Sequence, residues 1–182
     1  MKHPNIIKII CHDIGRHLGC YGVKSINSNA IDTLAKNGIL FKNSFSTSPG
    51  CSPSRAAIAT GMYPHNTGVL GLAHAHFGWS LDKKINHIAK YFSKNGYTSI
   101  LFGLQHVTYH EKTLGFNKIF PERPADEVLK NITKIIDSKI FKKPFYAEVN
   151  FFEPHRPFDY GGVKPDKSKG VYIPKYIPKN IY

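Results

Sequence analysis

The chain of 182 residues is 41% hydrophobic and carries a formal charge of +13, from 25 Lys and Arg against 12 Asp and Glu. That length suits one domain, and that apolar share supports a packed core, which excludes a largely disordered chain. No run of about 18 uncharged apolar residues occurs, which excludes a membrane-spanning helix.

The three cysteines, Cys11, Cys20 and Cys51, are too few and odd in number for a disulfide framework. Cys11 and Cys20 match no zinc spacing and read as buried thiols. The positive field attracts polyanions. Much of it comes from scattered lysines such as Lys164, Lys167, Lys169, Lys175 and Lys179, which read as solvated surface. No basic helix interleaved with aromatics is present, so no specific nucleic-acid binding is expected. The start is a poor signal peptide, because Asp13, Arg16 and His17 follow a short apolar run with no small-residue cleavage site. It reads as a cytoplasmic chain.

In chain order, the Ile-rich run 5–11 predicts a buried strand. A loop with Gly15, Gly19 and Gly22 follows, and Asn29 is placed to cap a helix over 30–36 that Asn37 and Gly38 close. Residues 39–45 predict a second strand and 46–53 a turn-rich loop. A helix over 55–62 has Pro53 near its first turn. Ile85, Ile88, Ala89 and Phe92 share one face of a predicted helix over 82–95, which Gly96 stops. A strand over 98–102 comes next, then a helix over 125–138 with Val128, Leu129, Ile132, Ile135 and Ile136 at helical spacing. The last strand is 144–152, and from Glu153 onward Pro and Gly mark a long loop. The repeated strand-then-helix order predicts an α/β fold, a mostly parallel sheet flanked by helices.

Ligand sites in such sheets gather beyond the carboxyl ends of the strands. Asp13, Cys51, His106, Glu153 and His155 each follow a predicted strand, so the topology would bring them to one edge. Cys51 sits in a loop bounded by Gly50 and Pro53 at a helix start, with Arg55 one turn on. The positive helix end and the guanidinium both favour a thiolate or an anionic adduct there.

Residues 51–61, Cys-Ser-Pro-Ser-Arg-Ala-Ala-Ile-Ala-Thr-Gly, resemble the signature of the sulfatase family, within the alkaline-phosphatase-like superfamily. The resemblance runs along nearly the whole chain. Gly71-Leu72 and the His155-Arg156 pair are similar to the sulfamidase-like branch in particular. It implies that residues 1–182 are the N-terminal part of a longer catalytic domain, whose later part supplies further metal ligands. It also implies that a separate maturase oxidises Cys51 to formylglycine, whose hydrate attacks sulfur. His12-Asp13 stands where the family has two adjacent Asp residues holding a calcium-type ion, so Asp13, His12 and Cys51 become the expected metal ligands. Imidazole at His12 suits a softer divalent metal. Residues 103–106 match the family's second signature at His106, with Leu104 and Gln105 in place of its lysine. Gln105 would offer a sulfate only a neutral hydrogen bond. His155 matches the histidine that protonates the leaving group or binds sulfate, and Arg55 would hold the nucleophile. His74 and His76 read as surface or substrate contacts. The implied substrate is a sulfated small molecule or glycan, cleaved at a sulfate ester or sulfamate. A phosphonate or phosphodiester hydrolase, or an inactive remnant that binds polyanions, are the alternative readings.

Overall fold

The computed structural model describes residues 3–74, 76, 78–138 and 144–158, together with 168, 170, 172–175, 177 and 178. The long loop expected after Glu153 falls largely outside them. Four parallel strands form one sheet in the order β1 (Ile6–Cys11), β4 (Phe145–Phe151), β2 (Thr98–Gly103), β3 (Lys118–Phe120). Among the described residues five α-helices accompany them: α1 (Asn29–Asn37), α2 (Cys51–Thr60), α3 (Pro64–Thr67), α4 (Ile88–Lys94) and α5 (Ala125–Asp137). Every sheet pairing is parallel because a helix or a long loop returns the chain between strands.

β2 and β4 alternate their side chains between two helical layers, whereas β1, expected to be buried, is an edge strand with Ile7 and Ile9 exposed. On one face Ile100 and Phe102 of β2, with Ala147 and Val149 of β4, pack against Val128 and Ile135 of α5. That stripe explains why residues 125–137 are helical. Asp126 and Glu127 in the first turn of α5 complement its positive end, and Glu153 Oε1 accepts a hydrogen bond of 2.9 Å from the Ala125 amide. Glu153, expected at the ligand edge, thus serves as a cap for α5. The other face carries Ser99 of β2, whose hydroxyl donates to the Ala89 carbonyl of α4 at 2.9 Å. A second apolar cluster of Ala56, Val69, Leu81, Val107 and Leu114 ties α2 to the segments that run between α3 and β3.

Several expectations need correction. Residues 39–45 form no strand: Ile39 is 83% and Phe45 87% exposed, and no described strand lies alongside to share hydrogen bonds. Apolar alternation there lacks the partner that makes a strand. Cys51 therefore follows an irregular segment, not a strand end. The helix expected over 55–62 begins four residues earlier, at Cys51, with Pro53 inside its first turn, and ends where Gly61 turns left-handed at φ 71°. Ser28, not Asn29, occupies the N-cap of α1; its hydroxyl donates to the Asp32 carboxylate instead of capping an amide. The helix expected over 82–95 is confined to Ile88–Lys94, because His87 caps it by accepting from the Ala89 amide at 3.1 Å.

Candidate active site

The site lies where β1, β2 and β4 end and α2 begins. Cys51 is the first residue of α2, preceded by Gly50 at the N-cap, which has no side chain to cap that end. The helix N-terminus therefore keeps its free amides and its partial positive charge on the side of the thiol.

Arg55 is only 7% exposed. Its Nη1 donates to the Leu104 carbonyl and to Asn150 Oδ1, each at 3.1 Å. Both acceptors are neutral. Burial lowers the guanidinium pKa from its ordinary value, and the negative charges of Glu148, Cys51 and Asp13 counter that. The positive charge is thus held in place with no carboxylate among the described residues directly against it.

Behind Arg55 lies a buried relay. Asn150 Nδ2 donates to Glu148 Oε1 at 3.2 Å, Tyr146 donates its hydroxyl to Glu148 Oε2 at 2.8 Å, and Lys8 Nζ lies 2.7 Å from that oxygen. Lys8 and Glu148 are register partners on β1 and β4. Burial pushes the Glu148 carboxyl up, but Lys8, His87 and the hydrogen bonds from Lys8 and Asn150 outweigh it and hold it below the ordinary range.

The histidines converge on the same edge. His12 is buried, and its Nδ1 is 3.1 Å from Asp13 Oδ1. Burial lowers its pKa; the Asp13 hydrogen bond opposes this and Arg55 adds to it. His155 stands edge-on to His12 with ring centroids 4.6 Å apart, and its Nε2 lies 3.8 Å from Asp13 Oδ2. His106 stacks on His74 at a centroid distance of 4.4 Å, and its Nε2 contacts His74 Nδ1. Burial, then the charges of His74, Arg55 and His12, push His106 down to about 4. Asp13 and His106 are the non-glycine residues with positive φ among those described, 53° and 58°. Left-handed backbone at such residues is uncommon and concentrates at functional sites.

Gln105 does not face the site as a ligand for sulfate would. Its Oε1 accepts from the amides of Val107 and Thr108 at 2.7 and 3.1 Å, and its Nε2 donates to the Thr108 carbonyl at 2.6 Å. It builds the turn that presents His106. His74 reaches His106 because the Ala73 amide donates to the buried Ser52 hydroxyl at 3.0 Å, pinning its loop to α2. His76 enters neither of the metal-capable groups.

A cavity of about 500 Å³ opens onto His12, Asp13, Cys51 and Arg55. A second, of about 870 Å³, is lined by Asp13, His17, His155 and Arg156. Among the described residues two groups of side chains could hold a metal: His12, Cys51 and His106, or His12, Asp13 and His155, with one donor atom of each within 4.8 Å of the others. His106 Nδ1 is buried with no hydrogen-bond partner among the described residues, as an open ligand position would be. These donors fit a divalent ion that accepts nitrogen. Of the six to eight oxygens a calcium-type ion takes, the two groups supply only the carboxylate of Asp13.

Asn150, Glu148, Lys8 and His74 as a partner of His106 were not anticipated. The signal for the first two was present: Glu148 and Asn150 stand two apart in an otherwise apolar strand, so both point to the same buried face.

These features describe an α/β protein whose Cys51, Arg55, Asp13 and histidines gather at the carboxyl edge of a parallel sheet. The Sulfatase family model matches residues 4–176, and the chain belongs to that family. It is 33% identical over 185 residues to an ulvan-active sulfatase of Formosa agariphila, covering 98% of this chain and 35% of that protein. It is 29% identical over 160 residues to human N-sulphoglucosamine sulphohydrolase, covering 84% and 32%. A structure solved with its substrate D-glucosamine-2-N,6-O-disulfate shares the fold with a TM-score of 0.72 at 21% identity, over 85% of this chain and 35% of that one. The chain thus spans about a third of the length of these curated relatives. No helix among the described residues is long and apolar enough to cross a membrane.

Proposed function

We propose that residues 1–182 are the N-terminal, nucleophile-bearing part of a sulfatase catalytic domain. Its reaction is hydrolysis of a sulfate ester or sulfamate on a glycan, after a maturase converts Cys51 to formylglycine. The observation that carries this reading is Cys51 at a helix start with glycine at its N-cap, beside a buried Arg55 whose acceptors among the described residues are neutral. Sulfated sugars as substrates are supported by the two relatives, an ulvan-active sulfatase and N-sulphoglucosamine sulphohydrolase.

The hydrated aldehyde would supply a hydroxyl nucleophile, and a divalent ion would lower its pKa and screen sulfate charge. Asp13, His12 and residue 51 would hold that ion. In the complete protein the family resemblance points to a calcium-type ion, with its further oxygen ligands coming from outside these 182 residues. Arg55 and the free amides of α2 orient the sulfate and neutralise charge that develops on its oxygens. His155, half-exposed beside Asp13, is placed to give a proton to the leaving oxygen or nitrogen as its bond to sulfur breaks. His106, held down to about 4, stays neutral at pH 7 and acts as a hydrogen-bonding or ligating imidazole.

Mass spectrometry of tryptic peptide 43–55, after co-expression with a formylglycine-generating maturase, tests the reading. The aldehyde at position 51 is expected. A peptide that keeps its thiol, while a control sulfatase in the same cells is converted, would count decisively against it.

A further inference from the structure

The donors that meet at Cys51 before any modification are two imidazoles and a thiol, a softer set than the family's oxygen-rich site. His12 Nδ1 is engaged by Asp13, which leaves Nε2 as its ligating atom. His106 Nε2 is engaged by His74, and its Nδ1 is buried without a hydrogen-bond partner among the described residues. With Cys51 they form a triangle in which one donor atom of each residue lies within 4.8 Å of the others. A tetrahedral ion with bonds of about 2.0–2.3 Å to nitrogen and sulfur spaces its donors roughly 3.3–3.8 Å apart, so small side-chain rotations close the triangle.

We propose that, with Cys51 still a thiol, the chain binds one zinc-class ion through His12, Cys51 and His106, with Asp13 as the outer carboxylate that orients His12. A carboxylate on the far nitrogen of a ligating histidine fixes its tautomer and raises its basicity. Asp13 meets that description at 3.1 Å, held by a left-handed backbone at φ 53°. The neighbouring group of His12, Asp13 and His155 is the weaker candidate, because the Asp13 side chain is 60% exposed and already spent on His12. Three protein donors leave a fourth position open, as in catalytic zinc sites.

The proposal rests on Cys51 being the reactive residue of the site, as in the proposed function, but its test does not involve conversion or turnover. The full 182-residue chain is made without maturase, shown by intact mass to carry the thiol, stripped of metal and titrated with Co²⁺ and then Zn²⁺. One equivalent of Co²⁺ is expected to bind with a thiolate charge-transfer band and tetrahedral ligand-field bands. Zn²⁺ should bleach both, and excess Ca²⁺ should not. Cys51→Ser, a one-atom change, should abolish the charge-transfer band and weaken Zn²⁺ at least tenfold, and His106→Gln should weaken it similarly. Asp13→Asn should keep the band and weaken binding about 10–100-fold, as outer-shell changes do. A charge-transfer band that survives Cys51→Ser, Zn²⁺ affinity unchanged by that substitution, or displacement of Co²⁺ by Ca²⁺ would overturn the proposal. A failed formylglycine assay would leave this metal result standing, and the converse also holds.

Discussion

Glu148→Gln probes the relay behind Arg55. Glu148 is 4% exposed and is the only carboxylate among the described partners of Lys8, Tyr146 and Asn150. The glutamine retains an oxygen for Asn150 but turns a donor amide toward the Lys8 ammonium. Removing one partner of a buried ion pair costs about 3–5 kcal/mol, because the other charge stays desolvated. Lys8 has 22% of its side chain exposed, so water recovers part of that loss and the lower end, about 3 kcal/mol, applies. At about 2–4 °C per kcal/mol for a chain of this size, the midpoint should fall by about 6–12 °C. Thermal and urea unfolding followed by circular dichroism measure it. The pH dependence has a definite sign. The folded carboxyl titrates below its ordinary 4.5, so its contribution is present above that value and is lost as pH falls through the folded pKa. The gap between wild type and Glu148→Gln should close in that acid window. Lys8→Met with Glu148→Gln together should cost less than the sum of the single changes, because no charge is then stranded. A loss under 1 kcal/mol for Glu148→Gln, or strict additivity of the pair, would refute the reasoning.

Asn150→Asp is nearly isosteric but places a carboxylate against Arg55, turning a free cation into a buried ion pair. Binding of inorganic sulfate, measured by calorimetry, should weaken about tenfold or more, the loss of a charge-assisted contact of about 1.5–3 kcal/mol; unchanged affinity would mean that Arg55 does not hold the anion. His87 is buried and pushed down to about 4. The unfolded chain therefore takes a proton that the folded chain refuses between about 6.5 and 4, and stability falls with pH across that window by about 3 kcal/mol. His87→Asn keeps an acceptor for the Ala89 amide and should flatten the acid slope of unfolding by one proton; a slope that stays as steep would refute the assignment.

The fold was readable wherever apolar spacing coincided with a partner. The strands at 98–102 and 144–152 and the helix at 125–138 emerge close to their expected limits, because Ile100, Val128, Ile135 and Val149 meet in one core. Residues 39–45 have the same local pattern as a strand, yet Phe41 and Phe45 lie exposed. Pattern measures what a segment could bury, and only the rest of the fold decides whether a neighbour is there to bury it. The three-residue β3 went unseen for the converse reason: its pairing with β2, Ile100 to Lys118 through Phe102 to Phe120, supplies what its length cannot.

The site divides along the same line. Cys51, Arg55, Asp13, His106 and His155 could be listed from predicted strand ends and a helix start, and His12 from the family resemblance, and the structure brings them to one edge. What spacing could not give is how each is held. Leu104 and Gln105, read as lost sulfate ligands, have local work instead: the Leu104 carbonyl anchors Arg55, and the Gln105 side chain shapes the turn under His106. Their contribution passes through the backbone, where residue type leaves little trace. The relay from Lys8 to Arg55 shows the opposite case. Buried polar groups must find partners, so Glu148 and Asn150 on one face of a buried strand already required a cation and a donor from neighbouring elements. Identifying them as Lys8, Tyr146 and Arg55 needed the strand register that pairs Lys8 with Glu148. In this chain, a single parallel register joins the ion pair that secures the sheet, through Asn150, to the guanidinium of Arg55.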